Sequence, residues 1–285
     1  MYFFFTISHT MLPNPQHPHY LRAVAALCSA VLLMAIALLV RSNAALHHAP
    51  ASIVTSTTST NAATHGTFAL VELFTSEGCS SCPSADKLVA ELVQDAQSKR
   101  TNIVALCFHV DYWNSLGWKD RFSSKAYSDR QRRYAEVLKG DGVYTPQMIV
   151  NGREEFVGSD RARATNAIEN ALRSAPPLAL QVQIQASSRN KLTVRYTASS
   201  VPSGAVVNVA IVEPHAESNV MRGENAGRKL AHVNVVRAFA SVSMQAAGEV
   251  RLSVEGGLPA HSTVVAFAQH TRTMDVLGVE QVVVQ

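Results

Sequence analysis

The stretch FALVELFTSEGCSSCPSADKLVAELV, residues 68–93, decides how this chain is read. Phe68 to Phe74 form a short apolar run interrupted once, by Glu72, and predict a strand. Leu88, Val89, Leu92 and Val93 then recur at helical spacing, so the strand feeds a loop that opens into a helix. Cys79 and Cys82 fall at that junction. Free N–H groups and the positive end of a helix favour a thiolate there. Pro83 suits the first helical turn, where its missing donor does little harm. The spacing places Cys79 on the solvent side as the attacking thiol and Cys82 one turn inward as the resolving thiol.

Downstream, Ile103–Val110 predicts a second strand, giving the strand–helix–strand order of a parallel α/β unit. Cys107, within IVALCFHV, reads as core. His109 and Asp111 stand at the strand's C-terminal end, where α/β sheets present chemistry. His109 is read as a packed, hydrogen-bonded residue, with proton exchange or metal ligation beside the thiols left open. In DYWNSLGWKDRF, the rings of Tyr112, Trp113 and Trp118 either pin a long loop or line a binding face, and Asp120–Arg121 is expected to be a local ion pair. A helix is predicted over Ala126–Leu138, with Arg130, Arg132 and Arg133 on a solvated face. VYTPQMIVNGREEFVG then gives a strand led by Thr145-Pro146, a hairpin turn at Asn151-Gly152, where both residues tolerate positive φ, and a second short strand. A terminal helix follows, with Ser159 as its expected cap.

Pro176-Pro177 marks a boundary. Beyond it about seven short apolar or alternating bursts predict an all-β, sandwich-like domain. The interval EPHAESNVMRGENAGRKLAHVN reads as a long loop. Its Glu213, His215, Glu217 and His232 are too irregularly spaced for a good metal site, so the loop is expected to dock against the first domain or a partner. Upstream, residues 23–40 (AVAALCSAVLLMAIALLV) carry no charge and could span a bilayer or form the apolar core of a signal peptide. Cys28 lies inside this run as a small hydrophobe. Residues 45–66, rich in Ser, Thr, Ala and His, read as a tether. The expected organisation is a signal peptide or anchor (1–44), a linker (45–66), an α/β domain (67–175) and a β domain (176–285).

A formal charge of +4 over 285 residues, with basic residues scattered or paired, gives no nucleic-acid footprint. No phosphate loop, nucleophile elbow or metalloprotease helix occurs. One close cysteine pair in an exported chain reads as redox chemistry rather than a disulfide scaffold.

The order of strand, CSSC, helix, strand, excursion, TP, hairpin and helix resembles the thioredoxin superfamily. That resemblance implies a thioredoxin-like fold for residues 67–175. It also implies a cis proline at Pro146 facing the thiol pair, with Thr145 presenting backbone groups to a substrate chain. Gly78 stands where thioredoxin carries tryptophan, and Ser80-Ser81 replaces its Gly-Pro, so a strongly reducing role is not carried across. Glu72 lies one residue farther from the first cysteine than thioredoxin's buried aspartate. It is read as a proton relay, with a loop hydrogen bond or a solvent position as alternatives. The words VELFTSEGCSSCPSAD, FHVDYWNSLGWKDRFSS, VYTPQMIVNG, VGSD and RGENAGRKLAHVNVVR are similar to the DUF1223 family of exported, thioredoxin-like proteins, over roughly Thr67 to Gln285.

The expected function is an exported thiol–disulfide oxidoreductase of the periplasm or exterior, membrane-anchored or secreted. It would act on protein or small-molecule thiols through Cys79 and Cys82, without a cofactor. The alternatives are a copper- or zinc-handling module using Cys79, Cys82 and His109, and a partner-binding protein with a structural disulfide.

Overall fold

The computed structural model describes residues 66–140 and 142–284. The apolar run at 23–40, the signal or anchor expected over 1–44, and all but the last residue of the tether lie outside them. Among the described residues, no helix is long and apolar enough to cross a membrane.

Strand β1 (Ala69–Thr75) is buried along its whole length, because it is paired on both edges and both of its faces are covered. β2 (Ile103–His109) runs parallel to it and β3 (Gln147–Val150) antiparallel. β4 (Glu154–Val157) pairs with β3 across the turn at Asn151 (φ 49°) and Gly152 (φ 69°), as the Asn-Gly signal predicts. Helix α1 (Cys82–Lys99) turns Ala85, Leu88 and Val89 inward and ends at Arg100, which takes up a left-handed conformation. α2 (Lys125–Leu138) is capped by Ser124, whose hydroxyl accepts the Ala126 N–H. α3 (Arg161–Leu172) is capped by Asp160, whose side chain accepts the Arg163 N–H, and not by Ser159. α1 and α3 cover the β1 face that presents Val71 and Leu73. α2 covers the opposite face, where Leu70 and Phe74 meet Tyr127 and Tyr134.

Downstream of Pro177 lie β5 (Leu180–Ser187), β6 (Lys191–Ala198), β7 (Ala205–Asn219), β8 (Lys229–Ser243), β9 (Ala247–Ser253), β10 (Thr263–His270) and β11 (Val276–Val283). β5, β6 and β9 form a small sheet of their own. Their Leu180, Leu192, Val194 and Val250 pack on Val207, Val209 and Val264 of β7 and β10, which gives a two-layered β region. The larger sheet has eight strands in the order β11-β10-β7-β8-β2-β1-β3-β4. β8 joins it to the α/β part by running parallel to β2, with Cys107 opposite Val235. The protein is therefore a mixed α/β fold built on one large, mostly antiparallel sheet.

The interval 213–234 corrects a sequence expectation. It is not a long loop but the outer part of a β7–β8 hairpin, paired as far as Asn219 with Lys229. Ala216 and Ser218 face inward while His215 and Glu217 face out. The period of two is present, but small and polar residues hide it from a hydrophobic reading.

Candidate functional site

Cys79 and Cys82 form a disulfide with their Cα atoms 5.4 Å apart. The turn that presents them is closed by two backbone hydrogen bonds. The Cys79 N–H donates to Ser76 O and the Cys82 N–H to Cys79 O, both at 3.2 Å. Cys82 is the first residue of α1, so its sulfur sits at the helix end where N–H groups lack partners. The expected exposure of Cys79 is corrected: it is 0% accessible, as is Cys82, while Ser80 and Ser81 between them are exposed. The far end of the β7–β8 hairpin lies against the backbone of this turn. Asn225 donates from Nδ2 to the carbonyls of both Glu77 and Cys79 at 2.9 Å, and Glu224 accepts the Ser80 N–H at 2.9 Å.

Thr145-Pro146 is a cis peptide. The Gly158 N–H donates to Pro146 O at 2.9 Å. Gly158 has no room for a side chain, since a Cβ there would meet Leu73 at 2.7 Å and both Ala85 and Pro146 at 3.2 Å. Ala85 lies three residues into α1 from Cys82, so Pro146 and the start of α1 border the same crowded spot. Trp113 sits over Gly78, which would bring a Cβ to 3.1 Å from Trp113 Cβ, and donates from Nε1 to Thr145 Oγ1 at 2.8 Å. One indole thus ties the C-x-x-C turn to the proline-led strand. Trp118 pins the same turn, donating to Glu77 Oε2 at 2.7 Å.

Beneath the turn lies a buried set of ionisable groups that draws on five segments: Glu77, Asp86, His109, Asp120 and His232. His232, on β8, stands between two carboxylates, with Nδ1 3.4 Å from Asp86 and Nε2 3.6 Å from Glu77. These are ion-pair separations, longer than good hydrogen bonds. Both ring nitrogens and Glu77 Oε1 accordingly make no hydrogen bond among the described residues. Burial pushes the imidazolium down, but Asp86 and Glu77 outweigh it and hold His232 up at about 9. Burial pushes Glu77 up, and His232 and Trp118 reverse that, leaving it below its ordinary value. Asp120 is also pressed upward by burial, yet ends below its ordinary range because His109 and the N–H groups of Glu77 and Phe122 favour the carboxylate. Asp86 accepts from Thr75 Oγ1 at 2.9 Å. Asp86 follows Cys82 by four residues, so the two share a face of α1.

His109 is buried and pairs through Nδ1 with Asp120 at 2.7 Å, which is the packed, hydrogen-bonded role read from sequence. Its partner explains why no local Asp120–Arg121 pair forms. Arg121 instead donates to Glu217 O and Ser218 Oγ on β7. Among the described residues no group of three or more His, Cys, Asp or Glu side chains is gathered as a metal site. Cys107 is a free buried thiol, pushed well up by burial and by Asp86, and so poorly suited to attack.

Glu72 is not part of this group. Its side chain points to the α2 face of β1, where it is 1% exposed and accepts two hydrogen bonds from Arg130, at 2.6 and 2.9 Å, and one from Tyr134. Arg130, read as a solvated helix residue, is buried within 5.0–5.6 Å of the ring centres of Phe108, Tyr134, Phe239 and Phe267. Alternation along β1 puts Glu72 and the cysteine turn on different sides of the sheet. The acids next to the cysteines are instead Glu77, two residues before Cys79, and Asp86. In the sequence His232 stands out only as one of four irregularly spaced metal-ligand candidates, and Asn225 not at all; both lie about 150 residues downstream, where small and polar residues hide the strand period.

No curated protein matches the chain. A crystal structure of a protein from Agrobacterium tumefaciens is similar at 26% identity with a TM-score of 0.59, covering 76% of this chain and 94% of that one. The family described as "Protein of unknown function (DUF1223)" matches residues 70–269, a span that takes in the cysteine turn, the cis proline, the covering hairpin and His232. By that match over most of its length, the chain belongs to the DUF1223 family.

Proposed function

We propose that this protein is a thiol–disulfide oxidoreductase of the cell envelope, acting through Cys79 and Cys82 on protein or small-molecule thiols. The observation that carries the reading is the placement of the Cys79–Cys82 disulfide at the first turn of α1, bordered by cis Pro146 and underlain by buried acids and an imidazolium. The β2-β1-β3-β4 order, with α1 and α3 on one face and α2 on the other, supports a thioredoxin-like arrangement for this half. The uncharged run at 23–40 supports export, by cleaved signal or retained anchor.

In the reductive direction an incoming thiolate attacks Cys79 Sγ. The Cys79–Cys82 bond breaks and Cys82 leaves as a thiolate at the α1 terminus, where the helix dipole favours it. A second thiolate then attacks the partner's sulfur in the mixed disulfide, releasing the partner as its own disulfide and Cys79 as a thiolate. Two electrons pass to the cysteine pair, and protons from the medium convert its thiolates to thiols.

A second reading, a structural disulfide in a partner-binding protein, is favoured by the burial of both cysteines. The reduction potential of the pair in a glutathione or dithiothreitol redox buffer separates the two. Exchange activity predicts a value between about −120 and −270 mV, the range of thiol–disulfide catalysts. A value below about −300 mV, with no difference between wild type and Cys79→Ser in an insulin-reduction assay, would sink the oxidoreductase reading.

A further inference from the structure

The tip of the β7–β8 hairpin is built to hold the cysteine turn. Residues 220–228 close on themselves, the Val220 N–H donating to Arg228 O at 2.9 Å and the Gly227 N–H to Val220 O at 2.8 Å. Gly223 and Gly227 take positive φ values of 77° and 79°. Gly223 lies against Trp118, to whose Cβ an added methyl would approach within 3.3 Å. Inside this frame Asn225 is fully buried. Its Oδ1 accepts from Arg228 Nη1 at 2.7 Å, which fixes the amide so that the Nδ2 protons meet the carbonyls of Glu77 and Cys79 together. Glu224 takes the N–H of Ser80. Three successive contacts thus run along the backbone on either side of Cys79, and they come from a segment that sequence places in a different half of the chain.

Exchange requires a nucleophile in contact with a disulfide sulfur, and the sulfur of Cys79 has no exposed surface. We propose that the β7–β8 tip, latched by Asn225, controls access to Cys79–Cys82, and that Asn225 is the positioning residue that determines which partners reach the pair. A partner must displace the tip before a sulfur is bared. The two carbonyls that Asn225 releases then need new donors, so a partner that brings an N–H-bearing segment to this spot is favoured over a bare small thiol. The proposal rests on the reading of the pair as exchange-active.

The test is the rate at which a water-soluble phosphine reduces Cys79–Cys82 in the full-length protein, followed by rapid alkylation and peptide mass mapping. Asn225→Ala removes both donors, and reduction is expected to speed up about tenfold or more. Glu224→Ala, a change at the exposed rim, is expected to give a smaller increase. Cys107 is an internal control: it is buried and free, so its labelling rises with global unfolding but not with a local opening of the tip. Acceleration at Cys79–Cys82 with Cys107 still protected supports the latch. Wild-type rates in the folded variants, or a parallel rise at Cys107, would overturn it. If Asn225→Ala does not fold, the Glu224→Ala rate decides. Phosphine reduction reports access whether or not the protein exchanges with thiol partners, so failure here and failure of the oxidoreductase reading are separate results.

Discussion

His232 concentrates the electrostatics of this protein in one residue. The groups facing it are Glu77 from the cysteine turn, Asp86 from α1 and, across a ring-to-ring contact of 4.9 Å, His109 with its partner Asp120. Arg121, His215 and Lys229 line the wider cleft beside it. The carboxylates raise its pKa from 6.5 to about 9, so folding favours the protonated ring. That contribution is fully present below about pH 6.5 and is lost as pH rises through about 9. From the size of the shift, wild type should lose about 3 kcal/mol of stability across that window. His232→Gln, which cannot titrate, should remove most of this slope. Urea unfolding of both proteins at pH 6 and pH 9.5 measures it, and an equal slope in the variant would contradict the assignment. Glu77 and Asp120 act in the opposite direction. Their lowered pKa values contribute stability that is present above pH 4.5 and is lost as pH falls through those depressed values.

Much of the element level was legible from sequence, for identifiable reasons. The strand, helix and hairpin around Cys79, Cys82, Pro146 and Asn151-Gly152 announce themselves through large apolar residues and turn chemistry, which act over a few positions. Glu72 shows the limit of that reading. Its distance from Cys79 suggested a relay, but the side of the strand it faces is set by alternation, and its partner Arg130 lies 58 residues on. Sequence does not single out Asn225, and marks His232 only as a weak metal-ligand candidate, because their actual roles come from tertiary pairing across the sheet, and a mixed run of small and charged residues carries no mark of it. The β3–β4 turn gives the element-scale test. A Cβ on Gly152 would fall 1.9 Å from Met274 O, at a φ of 69° that side chains rarely adopt. Gly152→Ala should therefore cost about 2–4 kcal/mol, read as a lower denaturant midpoint at unchanged slope. The turn is at the far end of β3 from Pro146, so the reduction potential of the folded variant should stay at the wild-type value. A shift in potential would show that β3 transmits strain to the site.

At the scale of the molecule, one core serves both sides of the Pro176-Pro177 step. Leu70, Phe74, Phe108 and Tyr134 pack in the same cluster as Val212 of β7, Val236 of β8, Phe267 of β10 and Val276 of β11. A fragment of residues 67–175 would leave that apolar face open and β2 without the partner that covers its outer edge. It should be aggregation-prone or loosely packed when expressed alone. The full chain should unfold in a single calorimetric transition over the described region. A soluble, cooperatively folding 67–175 fragment would show instead that the α/β part is independent.

The pairing of β7 with β8 also acts as a ruler. Both arms are anchored in the sheet near Val235, opposite Cys107, and the tip bearing Asn225 projects from there to the disulfide. Each residue lost from both arms would draw the tip back by about 3.3 Å and turn it to the other face, while two would withdraw it by about 6.6 Å with its facing kept. Under the proposed latch, the length of a hairpin more than a hundred residues from the cysteines sets access to them. Relatives with a shortened hairpin would expose the same C-S-S-C turn directly to solvent.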